Sequence, residues 1–366
     1  MRPPLPAAAR AGVLALAIVA TFALPSTATA QTPDEHDAAA APGPVIFVRL
    51  FGSVDWGATQ LPDRVNSFAL GQFAIFVTSA INERVSVLAE VVMEGSGTNT
   101  RVITDLERLQ LTFRLDDHLQ LSAGRYHTGI GYYNAAFHHG SYFETPIGRP
   151  RVFAFEDEGG VLPVHEVGLS VHGAVPKMGS ALHYLAEVGN GRLWNLSEPD
   201  PMSEGQDQNR AKSTNLGLSF RPDRWHGVEI GGSWYRDTIP RGTAPAIAHR
   251  IGAAYLVYRT PSTELMAEWL SLSHRVRGTT ARYTNGSGYA QASHAWGMVR
   301  PYYRYDRLKI DPATPLIGST QSAIAHIVGV RIDPAEWVGL KAQYEHGDEE
   351  GHKGVDAVRT QLVFVF

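Results

Sequence analysis

From residue 45 to the carboxyl end, apolar and polar side chains alternate with a period of two, broken at regular intervals by turn residues. Val85, Val87, Ala89 and Val91 fall on one face of a segment whose other face carries Arg84, Ser86 and Glu90. Leu109, Leu111, Phe113 and Leu115 alternate with Arg108, Gln110, Thr112 and Arg114. Val338, Leu340, Ala342 and Tyr344 alternate with Lys341, Gln343 and Glu345, and Tyr303 and Tyr305 with Arg304 and Asp306. Phe366, Phe364, Leu362 and Val358 alternate with Gln361 and Arg359 at the chain's end. Such spacing predicts strands, each with one apolar and one polar face.

Tight turns built on Asn, Asp, Pro or Gly join these segments in pairs: 81–83, 116–117, 176–179, 221–224, 260–262, 297–299 and 333–335. Their side chains close turns locally, by Asx bonds, fixed φ or left-handed backbone. Longer polar loops separate the pairs. The predicted strands are 45–54, 68–81, 84–94, 106–115, 119–132, 166–175, 181–189, 213–220, 227–236, 248–259, 264–274, 289–296, 300–308, 322–332, 337–346 and a terminal one over 358–366. An even set of about 16 strands of bilayer-spanning length predicts an all-β, up-and-down, transmembrane antiparallel β-barrel. A soluble sandwich would also alternate, but its greasy face points inward. So many long hairpins would leave exposed edges unless the sheet closed. With apolar residues facing lipid, the charged face lines a watery lumen, and a barrel this wide can hold a channel.

The amino terminus changes the picture of where the barrel goes. Arg2 and Arg10 precede or flank an apolar run over 11–24, followed by Ala28, Thr29 and Ala30, the pattern of an export signal over 1–30. A short Ala, Pro and acidic segment over 31–44 is expected as a periplasmic leader, with the barrel over 45–366. The apolar run is too short for a membrane anchor. Loss of Arg2 and Arg10 with the signal takes the 32 basic residues to 30 against 36 acidic ones, so nucleic-acid binding is not expected. The chain has no cysteine, which removes disulfides, thiol nucleophiles and cysteine metal sites. The 14 tyrosines and 7 tryptophans suit interface girdles, and the 36 glycines suit turns.

A chain ending on an aromatic residue in an alternating strand resembles the closing strand of bacterial outer-membrane barrels. That likeness implies that Phe366, with Phe364, is an assembly signal read by the barrel-assembly machinery. The mature chain as a whole resembles Gram-negative porins, and in style the phosphate-selective group. The residues that carry this are Ala123, Gly124 and Arg125 leading to Gly129, Ile130 and Gly131; the run from Glu187 to Gly191; and the run from Arg300 to Tyr305. It implies a passive diffusion channel for small hydrophilic solutes, with lipid bilayer and lipopolysaccharide as surroundings and a homotrimer as the assembly. Phosphate selectivity does not carry over, because lysine is nearly absent from the inward positions.

The longest non-repeating stretch, 134–163, holds the ordinal position of the general-porin loop that folds into the lumen. The resemblance therefore implies a constriction carrying Arg149, Arg151, Glu156, Asp157 and Glu158, a ring-of-charge arrangement. Arg84, Glu90, Arg108, Arg114, Glu268, Arg304, Lys341 and Arg359 are expected on the pore wall. Arg125 shares phase with Leu121 and Ala123, so it requires a bulge or a rim position. Tyr126, Tyr132 and Tyr133 read as girdle residues before a sugar slide. His138, His139 and His165 match no standard zinc spacing, and no cofactor is expected. The alternatives are a barrel enzyme, for which no serine or histidine constellation is evident, and a substrate-specific anion or sugar channel.

Overall fold

The computed structural model describes residues 44–61, 66–95, 102–116, 118–137, 140–156, 158–177, 180–192, 207, 209–314, 320–349 and 352–366. The expected signal and all but Pro44 of the leader lie outside the described residues, as do His138, His139 and Asp157. The strands are β1 (Val45–Thr59), β2 (Ser67–Ala80), β3 (Val85–Gly95), β4 (Val102–Arg114), β5 (Gln120–His127), β6 (His165–Lys177), β7 (Ser180–Gly189) and β8 (Ser213–Pro222). They continue as β9 (Val228–Arg241), β10 (Ala244–Arg259), β11 (Thr263–Val276), β12 (Arg282–His294), β13 (Val299–Leu308), β14 (Ala323–Ala335), β15 (Val338–Glu349) and β16 (His352–Val365).

Each strand pairs antiparallel with its neighbour in sequence, and β1 pairs β16, so the sheet is a closed barrel of 16 strands. Closure is in register from Phe51 opposite Val365 to Thr59 opposite Ala357. The final residue is part of the seam: Leu50 N donates to Phe366 O at 2.9 Å, and Phe366 N donates back to Leu50 O at 3.0 Å. The short turns close as their residues dictate. Asn82 Oδ1 accepts from Arg84 N and Val85 N, both at 2.9 Å, an Asx turn. Gly297 supplies the positive φ of 60° that lets Trp296 and Val299 bond each other.

The two faces separate as the alternation predicts over most of the wall. Leu109, Phe113, Leu340, Tyr303 and Tyr344 are exposed on the outside, whereas Glu90, Arg304, Asp306, Lys341 and Gln343 are buried inside. At β9–β12 the inner face is different. Tyr235, Ile251, Leu270, Leu272 and Tyr289 point inward and are buried. Here both phases are apolar, so the alternation does not separate inside from outside. The outer set is exposed on the barrel's outer face, and the inner set meets the long segment between β5 and β6.

Candidate functional site: a loop tied to the inner wall

Strand β5 ends at His127, five residues before the predicted end at Tyr132. Three residues earlier, inside the strand, Gly124 has a φ of 135° and no room for a Cβ against the Leu109 carbonyl. Beyond Arg125, β5 no longer pairs with β4, although β4 continues to Val102. On β4 a bulge falls at Glu107, between the pairs Glu90–Arg108 and Val91–Leu106. Arg125 reaches that bulge: its Nε donates to Glu107 O at 2.9 Å and its guanidinium lies 3.6 Å from the Glu107 carboxylate. The phase conflict at Arg125 is thus settled by a bulge on the neighbouring strand.

The neck of the loop is pinched shut. Thr128 N and Oγ1 donate to Val164 O and Pro163 O at 2.8 and 2.7 Å, and Asn134 Nδ2 donates to Thr128 O at 2.8 Å. A one-turn helix, α1 (Tyr133–Ala136), follows. Its leading amides, Tyr132 N and Tyr133 N, donate to the two Glu268 carboxylate oxygens at 2.6 and 2.7 Å, and Tyr289 OH donates to the same group at 2.7 Å. A carboxylate at a helix start is satisfied by orphan amides. On β7 the Glu187 carboxylate accepts from Gly129 N at 3.0 Å.

The stretch from Ser141 to Arg151 is held through its carbonyls. Arg331 donates to Tyr142 O and Glu144 O at 2.6 and 2.9 Å, and Lys341 to Ser141 O and Pro146 O at 2.6 and 3.2 Å. Gln343 accepts from Ile147 N at 3.0 Å, and Arg304 donates to Gly148 O at 2.8 Å. Arg151 pairs with Glu345 at 2.5 Å. An apolar underside completes the contact: Ile130, Tyr133, Phe137, Phe153 and Leu162 pack with the greasy patch of β9–β12. Each such side chain contributes roughly 1.5–3 kcal/mol by leaving water.

At the loop's return, Glu156 turns away from the lumen. Its carboxylate accepts from Val164 N at 2.7 Å and lies 3.2 Å from His165 Nδ1, while His165 Nε2 sits 2.8 Å from Glu107. Burial alone would raise the Glu156 pKa, but the adjacent His165 and the amide bonds outweigh it and hold the group below the ordinary 4.5. Tyr133 is pushed the other way. Burial, then the Glu144 carboxylate it bonds at 3.0 Å, keep its phenol protonated and donating. Tyr133 and Tyr126 are buried inside the barrel, so neither belongs to an outer girdle.

What remains open lies on the other side of the loop. A pocket of about 280 Å3 lies between the wall residues Ser53, Asp55, Gln72, Glu94 and Gln361 and the loop residues Ser141, Glu144, Ile147, Arg149 and Glu158. A second recess of about 340 Å3 shares Asp55 and Ile147 and reaches Trp56, Arg359 and Thr360. Arg149 is fixed there by Phe153 O at 2.6 Å, Asn134 Oδ1 at 3.1 Å and the Phe155 ring at 4.3 Å.

The expected site residues divide accordingly. Arg149 and Glu158 line the pocket; Arg151 and Glu156 tie the loop down. Glu268, Arg304 and Lys341 are loop anchors, and Glu90 pairs with Arg108 at 2.7 Å. Arg359 lies 3.5 Å from Glu345 and lines the recess. Arg84 lies in the β2–β3 turn and Arg114 bonds Glu83 O at 2.8 Å, both at the short-turn rim. The sequence reading missed Asp55, Gln72, Glu94, Glu144 and Gln361. The phase of Glu90 extends to Glu94, and that of Arg359 to Gln361 and across to Asp55. Among the described residues, no three His, Cys, Asp or Glu side chains are placed to hold a metal.

No family model and no curated protein matches the chain. Solved structures do match. OmpF of Salmonella typhi, in complex with daunomycin, superposes with a TM-score of 0.60 at 11% identity over 88% of this chain and 97% of that one. An anion-selective porin from Comamonas acidovorans gives 0.58 at 9% over 88% and 100%. The outer-membrane channel DcaP of Acinetobacter baumannii gives 0.55 at 9% over 88% and 98%. The barrel therefore has the outer-membrane porin fold.

Proposed function

We propose that the protein is a passive diffusion channel for small hydrophilic solutes in the outer membrane of a Gram-negative bacterium, and that the loop over 128–164 is its constriction. The observation that carries this is the loop's attachment: polar side chains of β11, β13, β14 and β15 hold its backbone against one wall, leaving a polar passage along β1–β3 and β16. A loop so held narrows a bore that 16 strands otherwise leave wide. The passage is lined by the carboxylates of Asp55, Glu94, Glu144 and Glu158 against the single guanidinium of Arg149. In a confined, weakly screened space such an excess favours cations. A homotrimer belongs to the same reading; Vibrio cholerae OmpT, solved in a trimer form, superposes with a TM-score of 0.57 at 10% identity over 89% of this chain and all of that one.

Refolded protein in a planar bilayer under a salt gradient is the test. Stepwise conductance with a reversal potential of cationic sign is expected. A correctly folded barrel that passes no current would refute the channel; an anionic sign would refute the assignment of the lining carboxylates.

A further inference from the structure

Toward the long-loop end of the inner wall lies a polar cluster that neither the loop's anchors nor the pocket uses. His249 on β10 stands directly opposite His274 on β11, with ring centroids 4.7 Å apart. Asn285 on β12 is diagonal to His274 on the same face, opposite Leu272. All three side chains are fully buried, and so are Ile247, Ile251 and Leu272 of the same strands. Four nitrogens of the cluster have no partner: both of His249, Nε2 of His274 and Nδ2 of Asn285. Buried polar atoms are paired as a rule, so an orphaned set in one place points to something that pairs it.

The atoms that are paired define what the rest can do. Asn285 Oδ1 accepts from Asp311 N at 2.6 Å, which leaves its amide only hydrogens to give. His274 Nδ1 lies 3.0 Å from Thr314 Oγ1; with that hydroxyl donating, the ring carries its hydrogen on Nε2. His249 adds a further ring N–H, so the cluster has donors in excess and wants an acceptor. The electrostatics have the matching sign. The Arg192 charge acts on both rings, and its Nη1 donates to the neutral Val161 O at 3.0 Å. Asp237, opposite His249 on β9, is already engaged by Arg192 N at 2.8 Å and Thr238 N at 2.6 Å. A metal ion suits the cluster poorly: among the described residues no third His, Cys, Asp or Glu joins the two rings, and a guanidinium acts on them.

We propose that His249, His274 and Asn285 hold a buried chloride ion, with Arg192 supplying the compensating charge. Complete burial of all three side chains selects a monatomic anion over an oxoanion, whose extra atoms need room. The ion accepts the orphaned hydrogens and joins β10, β11 and β12 through side chains that Asp311 and Thr314 of the β13–β14 connection already hold. Because the unfolded chain has no such site, chloride stabilises the barrel by mass action, up to a plateau set by occupancy. The ion sits in the wall, so the site holds whether or not the pore conducts.

The test uses the whole refolded barrel, the variants His249→Leu and Asn285→Leu, and as control His326→Gln, an exposed histidine on the outer face of β14. Each variant removes orphaned nitrogens together with the donor, so both are expected to fold. Potassium chloride replaces potassium gluconate at constant ionic strength, and the readout is the temperature at which the unheated barrel loses its fast migration in SDS. That temperature is expected to rise to a plateau with chloride for the parent and the control, and to be independent of chloride for both variants. A parent indifferent to chloride, or an equal rise in the variants, would overturn the proposal. Crystals of the parent grown in bromide give a second reading that needs no variant to fold. An anomalous peak among His249, His274 and Asn285 is expected, and its absence would refute the site.

Discussion

At the scale of single residues, the barrel spends its inner-wall charges on holding a loop. Glu268 shows this most sharply, since one carboxylate receives Tyr132 N, Tyr133 N and Tyr289 OH inside the barrel. Glu268→Ala would orphan three donors, two of them buried, and each buried one costs about 1–3 kcal/mol. The expected outcome is an undocked loop, seen as higher and noisier single-channel conductance, with a smaller effect for Glu268→Gln. A second expectation concerns acid. Glu156 has a pKa held below 4.5, so its charged form stabilises the docked loop above that value, and the contribution is lost as pH falls through the lowered folded pKa. The Glu156 contribution, read as the difference in open-channel noise between the parent and Glu156→Gln, should therefore persist from pH 7 to 5 and shrink only below about pH 4.5. A difference that already shrinks between pH 7 and 5 would mean that Glu156 is not the charged partner of this tether.

At the scale of elements, β16 both closes the sheet and ends in an outward aromatic side chain. Phe366 keeps its place through backbone bonds to Leu50, and its ring is 69% exposed. Phe366→Ser should therefore lower the amount assembled in the outer membrane while leaving the SDS heat transition of assembled barrels nearly unchanged. Normal surface abundance would remove the assembly role. The strands were legible because alternation and turn chemistry are local: all 16 segments form where the pattern predicts them, with ends shifted by bulges and loops. Strand β5 was overrun because Tyr132 continues its aromatic composition, whereas the strand ends at His127, where Thr128 bonds Pro163 and Val164 across the neck of a loop about 35 residues long. The role of Arg331 or Lys341 was not legible, since an inward cation looks alike whether it faces water or a carbonyl. The apolar inner patch of β9–β12 was equally hidden, because its partner lies about 100 residues away in the chain, and pairing at that distance leaves no trace in a local period.

At the scale of the whole molecule, the barrel is filled on one side and open on the other. Polar anchors and an apolar underside fix the loop to the β9–β15 wall, and the passage proposed above follows the pockets along β1–β3 and β16. The absence of cysteine makes this division directly measurable, because any thiol in a variant is the one placed there. Asp55→Cys and Glu158→Cys put thiols on the two sides of the passage, Leu270→Cys behind the loop, and Leu340→Cys on the outer face. The deciding measurement is single-channel current during exposure to a cationic thiosulfonate reagent. Stepwise block is expected for Asp55→Cys and Glu158→Cys, with no change for Leu270→Cys or Leu340→Cys. Block at Leu270→Cys, with free current through the modified Asp55→Cys and Glu158→Cys channels, would place the permeation path behind the loop and contradict the constriction.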